Sequence, residues 1–292
     1  MQLLEQLAYG QYEDITNESI SLECASLNGY ARCVYEMMEI TSVMEGPTLE
    51  KIKNFFKTIF KKIKEILDKL IRLFTRRTSN SPSNDNKSSS INDEYKVNTY
   101  IGYVGVNPKD ISNGFDNVID KLKIYEKEMI DYISKVVDIL AKNKNSSDKE
   151  IELLLSYIDK PRKCDMVIDF MFKTHPMKKE FRSRQEFESF FSCDGWFDIK
   201  TGLRNQPKID QHNKTISNSI SNIKKSIEPL ERVFGTKITN QTDKIPADIS
   251  AVPQLLIREV SELSSIMCKF NTKINENFTK IEQYIQQTKN KI

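Results

Sequence analysis

The sequence predicts a mainly α-helical protein, an elongated bundle of coiled-coil-like helices with a separate amphipathic helix near the N-terminus and a disordered linker after it. Apolar residues recur at alternating steps of three and four along several long stretches, which is the spacing of one helix face. Charged residues make up 29% of the 292 residues, while glycine and proline number nine each. This composition favours helices over strands.

The chain is organised around a cationic amphipathic helix, predicted as a region of its own over residues 47–77. Gly46-Pro47-Thr48 supplies a helix breaker and an N-cap, and residues 48–77 hold ten Lys/Arg against three acids. At about 1.5 Å per residue the helix is a rod of about 45 Å. Its cationic face, the candidate surface for a polyanion or a membrane, comprises Lys51, Lys57, Lys61, Lys64, Lys69, Arg72, Arg76 and Arg77.

Three interpretations of this helix are open. Its apolar stripe packs against the C-terminal helices, or it lies on an anionic membrane surface, because apolar Phe, Ile and Leu opposite a lysine face is the pattern of interfacial helices. The third interpretation is that the cationic face binds phosphate without sequence preference. The second and third interpretations require the stripe or the cationic face to be exposed.

Residues 1–46 form an acidic N-terminal arm with weak helical character. Residues 1–47 hold eight acidic residues against Arg32, so a net charge of −7 is followed directly by a segment of +7. The arm is either an acidic surface helix with a loop, or a removable or switchable segment that lies on the cationic helix. Opposite charges favour the second arrangement, although salt screens exposed pairs.

After the cationic helix the chain changes character twice. Residues 78–94 are rich in Ser and Asn and nearly lack apolar side chains, which predicts a disordered linker. Residues 95–292 form the predicted helical domain, in which 100–106 is the one segment with strand character and the chain from Asp110 onward is helical. Shorter helices are predicted over 148–157, 164–173 and 185–191, and a long one from Ile209 to the Phe234-Gly235 step.

The C-terminal helix, predicted over 252–284, carries an apolar seam with one polar position. A single polar residue in such a seam commonly fixes helix register or oligomer state. We therefore expect helix pairing there, within the chain or between copies in a homo-oligomer, and we expect 48–74 and 252–284 to be the longest helices. The candidate helix-pairing seam comprises Leu256, Leu263, Met267, Phe270, Ile274, Asn277 and Ile281.

The sequence gives no support for an enzyme and indicates no cofactor or metal. Cys164, His175, Cys193 and His212 lie too far apart for a zinc module. Cys193 with His212 could form a thiol nucleophile and base, but nothing near Cys193 marks a reactive cysteine. The five scattered cysteines are typical of reduced thiols in a cytosolic compartment. The net charge of +3 does not indicate a strongly basic nucleic-acid binder.

Three stretches of the first hundred residues carry a resemblance to a known family. They are Met1-Gln-Leu-Leu-Glu-Gln-Leu-Ala-Tyr, Val43-Met-Glu-Gly46, and the Lys/Phe/Ile helix that begins near Lys51. In these stretches the chain resembles internal virion proteins of large tailed bacteriophages. The resemblance implies a protein packaged inside the head whose acidic arm a prohead protease removes after a glutamate. The cleavage site that the resemblance implies is the bond between Glu45 and Gly46.

From these features we expect a non-enzymatic phage virion structural protein, made in the host cytoplasm and located in the capsid interior. Its expected partners are other virion proteins, packaged DNA bound non-specifically, and an anionic membrane surface. Two alternatives remain open. One is a membrane-active helical protein, such as a lytic or pore-forming effector, and the other is an intracellular coiled-coil adaptor.

Overall fold

The computed structural model describes residues 49–75, 100–105, 107–143, 146–161, 175–199, 202–239 and 247–289. This described part is mostly helical, which confirms the predicted fold class. The acidic arm, the linker 78–94, the helix expected over 164–173 and the predicted domain boundaries all lie outside it. Its six helices are α1 Leu49–Thr75, α2 Pro108–Lys142, α3 Asp148–Ser156, α4 Arg184–Ser192, α5 Gln206–Thr239 and α6 Ala247–Lys289.

The helix lengths differ from the prediction. α6 is the longest at 43 residues, as expected, but α2 with 35 and α5 with 34 both exceed the 27 residues of α1. The predicted end of α5 at Phe234-Gly235 is wrong, because the helix continues through Pro229 and Gly235 to Thr239. Proline inside a helix costs about 3 kcal/mol, and the burial of Leu230 and Phe234 offsets that cost.

Four strands interrupt the helices in the part of the chain that the structure describes. β1, Tyr100–Gly105, was predicted, and it pairs antiparallel with β2, His175–Glu180, with Tyr100 opposite Glu180 and Gly105 opposite His175. A second ladder pairs β3, Phe197–Asp198, with β4, Leu203–Arg204. The prediction of helix from Asp110 to the end is therefore wrong at β2 and at this hairpin. Two-residue strands are too short to show an alternating pattern, and the β2 sequence HPMKKE does not alternate clearly.

The chain divides into two compact units, the first of which comprises Met1–Arg72, Leu122–Asp165 and Ser217–Cys268. In this unit α1 lies against α5. The Phe234 ring lies 5.6 Å from Phe56 and 5.4 Å from Phe60, measured between centroids. Asn222 of α5 donates a hydrogen bond to Glu126 of α2. The cationic helix is therefore a packed element of this core.

The second unit comprises Leu73–Lys121, Met166–Ile216 and Lys269–Ile292. Its centre is Trp196, which is fully buried and stacks on Phe115 with centroids 5.0 Å apart and ring planes at 7°. Phe278 and His212 also contact this indole. The stacking partner of Trp196 is therefore a residue of α2 and not one of the phenylalanines that lie close to it in the chain. Phe187, Phe190 and Phe191 surround Phe181 instead.

Candidate polyanion-binding face

The apolar stripe of α1 is covered by the protein itself. Eight of its side chains are between 0% and 4% exposed, because neighbouring helices pack against them in place of water, while Leu73 is half-buried. This is the first of the three arrangements considered for the helix. The buried stripe residues are Phe56, Ile59, Phe60, Ile63, Ile66, Leu67, Leu70 and Phe74.

The cationic face of α1 points to solvent over most of its described length. Lys57, Lys61 and Arg72 are exposed, and Lys64 and Lys69 are half-buried. Arg72 lies fifteen positions after Lys57, which corresponds to about 22 Å along the helix axis. Duplex DNA advances about 3.4 Å per base pair, so this length matches about six phosphates of one strand. The side chains of Lys51, Arg76 and Arg77 lie outside the described part of the chain.

Two cross-helix ion pairs fix the rotation of α1 on α5. Lys64 Nζ lies 2.6 Å from a carboxylate oxygen of Glu231, and Lys224 Nζ lies 2.6 Å from one of Asp68. Three of these four side chains are about one quarter exposed, and Asp68 is 41% exposed. Because the half-buried edge of the helix is held in this way, Lys57 and Lys61 are directed outward.

Glu65 moderates the charge of this surface without neutralising it. The Glu65 carboxylate lies 3.0 Å from Lys62 Nζ and 3.9 Å from Lys61 Nζ. Both pairs are exposed, so each adds little to stability and can exchange for a phosphate contact. Residues 54–75 carry six basic side chains against Glu65 and Asp68, so this segment of α1 keeps a net charge of +4.

All seven residues of the helix-pairing seam on α6 are buried, with exposures from 0% to 4%. The seam is thus covered within a single chain, which favours pairing within the chain over pairing between copies. Asn277 is 2% exposed, and its amide nitrogen has no hydrogen-bond partner among the residues that the structure describes. Such a group is costly to bury, so Asn277 lowers the stability of the seam in which it lies.

Arg204 forms a polar clamp on α6 that the sequence did not reveal. Its guanidinium makes two parallel hydrogen bonds to the Glu282 carboxylate, of 2.8 and 2.7 Å, and it also donates to Asn275 and Thr279. The backbone N–H of Arg204 donates to Glu282 as well. The clamp fixes the β3–β4 hairpin on α6. No sequence signal could have found it, because 78 positions separate the two charged residues.

Glu259 of α6 is a second polar residue that sequence reasoning missed. Its side chain is fully buried, and it accepts hydrogen bonds from the neighbouring Arg258, the shorter at 2.8 Å. Burial raises the pKa of this carboxyl, and the attraction of Arg258 opposes the shift without cancelling it. A buried carboxyl of this kind weakens the fold when it is charged.

Cys193 is not prepared for nucleophilic chemistry. It is buried in a left-handed turn, and burial, aided by the charge of Asp194, raises the pKa of its thiol to about 11. The thiol is therefore protonated at neutral pH, whereas a nucleophile needs the thiolate. His212 packs against Trp196 and Phe115, and its Nδ1 lies 2.8 Å from the Lys208 carbonyl oxygen. Both residues contribute to the core of the second unit.

Among the described residues, no group of three or more His, Cys, Asp and Glu side chains could hold a metal ion. Cys164 and the His175 side chain lie outside that part, as does the candidate cleavage site at Glu45 and Gly46. None of the described helices contains a stretch long and apolar enough to span a membrane.

Comparison with known protein families, curated proteins and solved structures finds no match for this chain.

Proposed function

We propose that the protein is a non-enzymatic structural protein of a phage particle, located in the head, and that the cationic face of α1 binds packaged DNA without sequence preference. The observation that carries the DNA contact is the division of α1 into a buried apolar stripe and an exposed row of basic side chains. The virion location rests on the resemblance of residues 1–9, 43–46 and 51–63 to internal head proteins.

This division separates the polyanion interpretation from the membrane interpretation. A helix that lies in a bilayer interface inserts its apolar side chains into the lipid. Here the stripe from Phe56 to Leu70 is buried in the core of the first unit, so inserting these side chains into lipid would require that core to open. Binding to phosphates requires only the exposed Lys57, Lys61 and Arg72, and it leaves the fold intact. We therefore favour DNA over a membrane as the partner.

Electrostatic contact with a phosphate backbone carries no base information, because all base pairs present the same phosphates. We assign none of the described helices or strand pairs to a groove of DNA. The proposed contact runs along the exposed side of α1. We therefore expect affinity without sequence preference and with a strong dependence on salt. Such binding suits a protein that is packed against DNA of any sequence.

The DNA contact is tested with the full chain and two unrelated 30-base-pair duplexes, from low salt upward. The variant Lys57→Gln/Lys61→Gln/Arg72→Gln should bind both duplexes more weakly than the wild type, with a log–log salt slope smaller by about 3. Lys123→Gln/Lys127→Gln/Lys142→Gln is the matched control, since it removes three exposed charges from α2. Equal loss of affinity in both variants would refute the assignment to α1.

The virion location needs a separate test. Phage particles from cells that carry this gene are purified by density gradient and digested, and their peptides are identified by mass spectrometry. Peptides of the α1 and α6 regions should be present in stoichiometric amounts in full particles. The absence of these peptides from full particles would contradict the virion location. The DNA contact is tested independently, by the duplex experiment.

A further inference from the structure

The segment that precedes α1 carries the opposite charge to the face that α1 exposes. Eight acidic residues lie in positions 1–47, against one arginine, and α1 begins at Leu49. Along the helix axis Arg72 lies about 35 Å from Leu49, and a fully extended chain from Glu36 to Leu49 spans up to about 45 Å. The acidic residues can therefore reach every position from Lys57 to Arg72.

The packing of α1 limits what this acidic arm could cover. The apolar stripe from Phe56 to Leu70 is already buried in the first unit, so the arm is not needed to shield it from water. On the half-buried edge, Lys64 already pairs with Glu231. The exposed side of α1 is mainly positively charged, through Lys57, Lys61 and Arg72. The acidic arm, residues 1–47, precedes this helix in the sequence.

We infer that residues 1–47 bind the cationic face of α1 and compete there with DNA. This inference rests on the proposed function, and it adds the regulation of that same surface. A tethered segment acts at an effective concentration of the order of millimolar, so weak contacts suffice to compete with a ligand in solution. Each contact is exposed and screened by salt, so the competition is graded.

The competition has a defined dependence on conditions. At low salt both the arm and DNA bind strongly to the cationic face, and the tether favours the arm. As the salt concentration rises, both sets of contacts weaken. The difference in DNA affinity between a chain with an acidic arm and one with a neutral arm therefore becomes smaller. Any process that neutralises or removes the arm increases the affinity of α1 for DNA.

The experiment uses the full chain and removes charge, not residues. The arm variant is Glu23→Gln/Glu36→Gln/Glu39→Gln/Glu45→Gln. The control is Asp116→Asn/Asp120→Asn/Asp131→Asn/Asp138→Asn, which removes four exposed acids from α2 and changes the net charge by the same amount. The first readout, without DNA, is the rate at which an amine-reactive acetylating reagent modifies Lys57 and Lys61. The second is the affinity for a 30-base-pair duplex at low salt.

The arm variant should expose Lys57 and Lys61 to faster modification than the wild type does, while the control leaves their rates unchanged. The affinity of the arm variant for the duplex should rise at least about tenfold, well beyond any gain in the control. Equal modification rates in wild type and arm variant would overturn the inference, as would equal gains of affinity in both variants. Faster modification without duplex binding would support the arm contact and contradict the proposed DNA function.

Discussion

Lys64 and Glu231 are 167 positions apart in the chain, and their charged atoms lie 2.6 Å apart where α1 meets α5. The pair joins the side of α1 to its packing partner at the edge of the buried stripe. With the neighbouring pair of Lys224 and Asp68, it sets which residues of α1 face solvent. The orientation of the cationic face is therefore a property of the α1–α5 packing.

The Lys64–Glu231 pair should contribute measurable coupling to stability. Both side chains are about one quarter exposed, so we expect a coupling of about 0.5–1 kcal/mol, near the upper end for ion pairs at a surface. A double-mutant cycle of Lys64→Met and Glu231→Gln in urea unfolding measures it. The control cycle on Lys61 and Glu65, whose atoms are 3.9 Å apart and exposed, should show no coupling. Equal couplings in both cycles would contradict a special role for the cross-helix pair.

Arg204 should be the most sensitive polar residue of the second unit. Arg204→Met removes every guanidinium contact and leaves the Glu282 carboxylate, whose side chain is 16% exposed, without its cation. We expect a loss of about 2–3 kcal/mol in the free energy of unfolding, because a partly buried charge loses its partner. Arg232→Met, at a side chain 78% exposed, is the control and should change the stability little. The expectation fails if the two variants unfold alike in urea.

Glu259 predicts a stability that depends on pH. Its pKa is raised in the folded chain above the ordinary 4.5, so the folded state holds the proton more tightly than the unfolded state. Stability is therefore greatest below pH 4.5 as far as this group is concerned, and it falls as pH rises towards the folded pKa. Glu259→Gln should remove that fall and raise the melting temperature at pH 7 by a few degrees.

Thermal unfolding from pH 4 to pH 8 tests this expectation, with Glu276→Gln, at an exposed position of the same helix, as the control. The melting temperature of the wild type minus that of Glu259→Gln should become more negative as the pH rises above 4.5. The Glu276→Gln curve should run parallel to the wild type. If this difference in melting temperature does not change with pH, the buried Glu259 carboxylate does not destabilise the fold.

The sequence carried the local periodic features of this fold and missed the contacts between distant segments. The stripe of α1 and the seam of α6 were predictable because apolar spacing of three and four residues places side chains on one face. The contact between Lys64 and Glu231 was not, since nothing near either residue indicates its partner. The strand β2 was missed for the same reason, because its pairing with β1 depends on residues about 75 positions away.

The candidate site shows the same division. The cationic face was predictable from lysine spacing. The three interpretations of α1, however, differ in whether its apolar stripe or its cationic face is covered. That choice depends on Phe234, which contacts both Phe56 and Phe60 and comes from a helix far along the chain.

The central claim is that α1 presents its lysines to DNA while its apolar stripe stays buried. It is tested most directly by amine acetylation of the full chain with and without a 30-base-pair duplex at low salt, read by mass spectrometry. The account predicts that DNA slows the modification of Lys57 and Lys61 but not that of Lys123 and Lys127, which are exposed on α2 at the same spacing. Equal protection of the two pairs, or protection of the α2 pair alone, would contradict it.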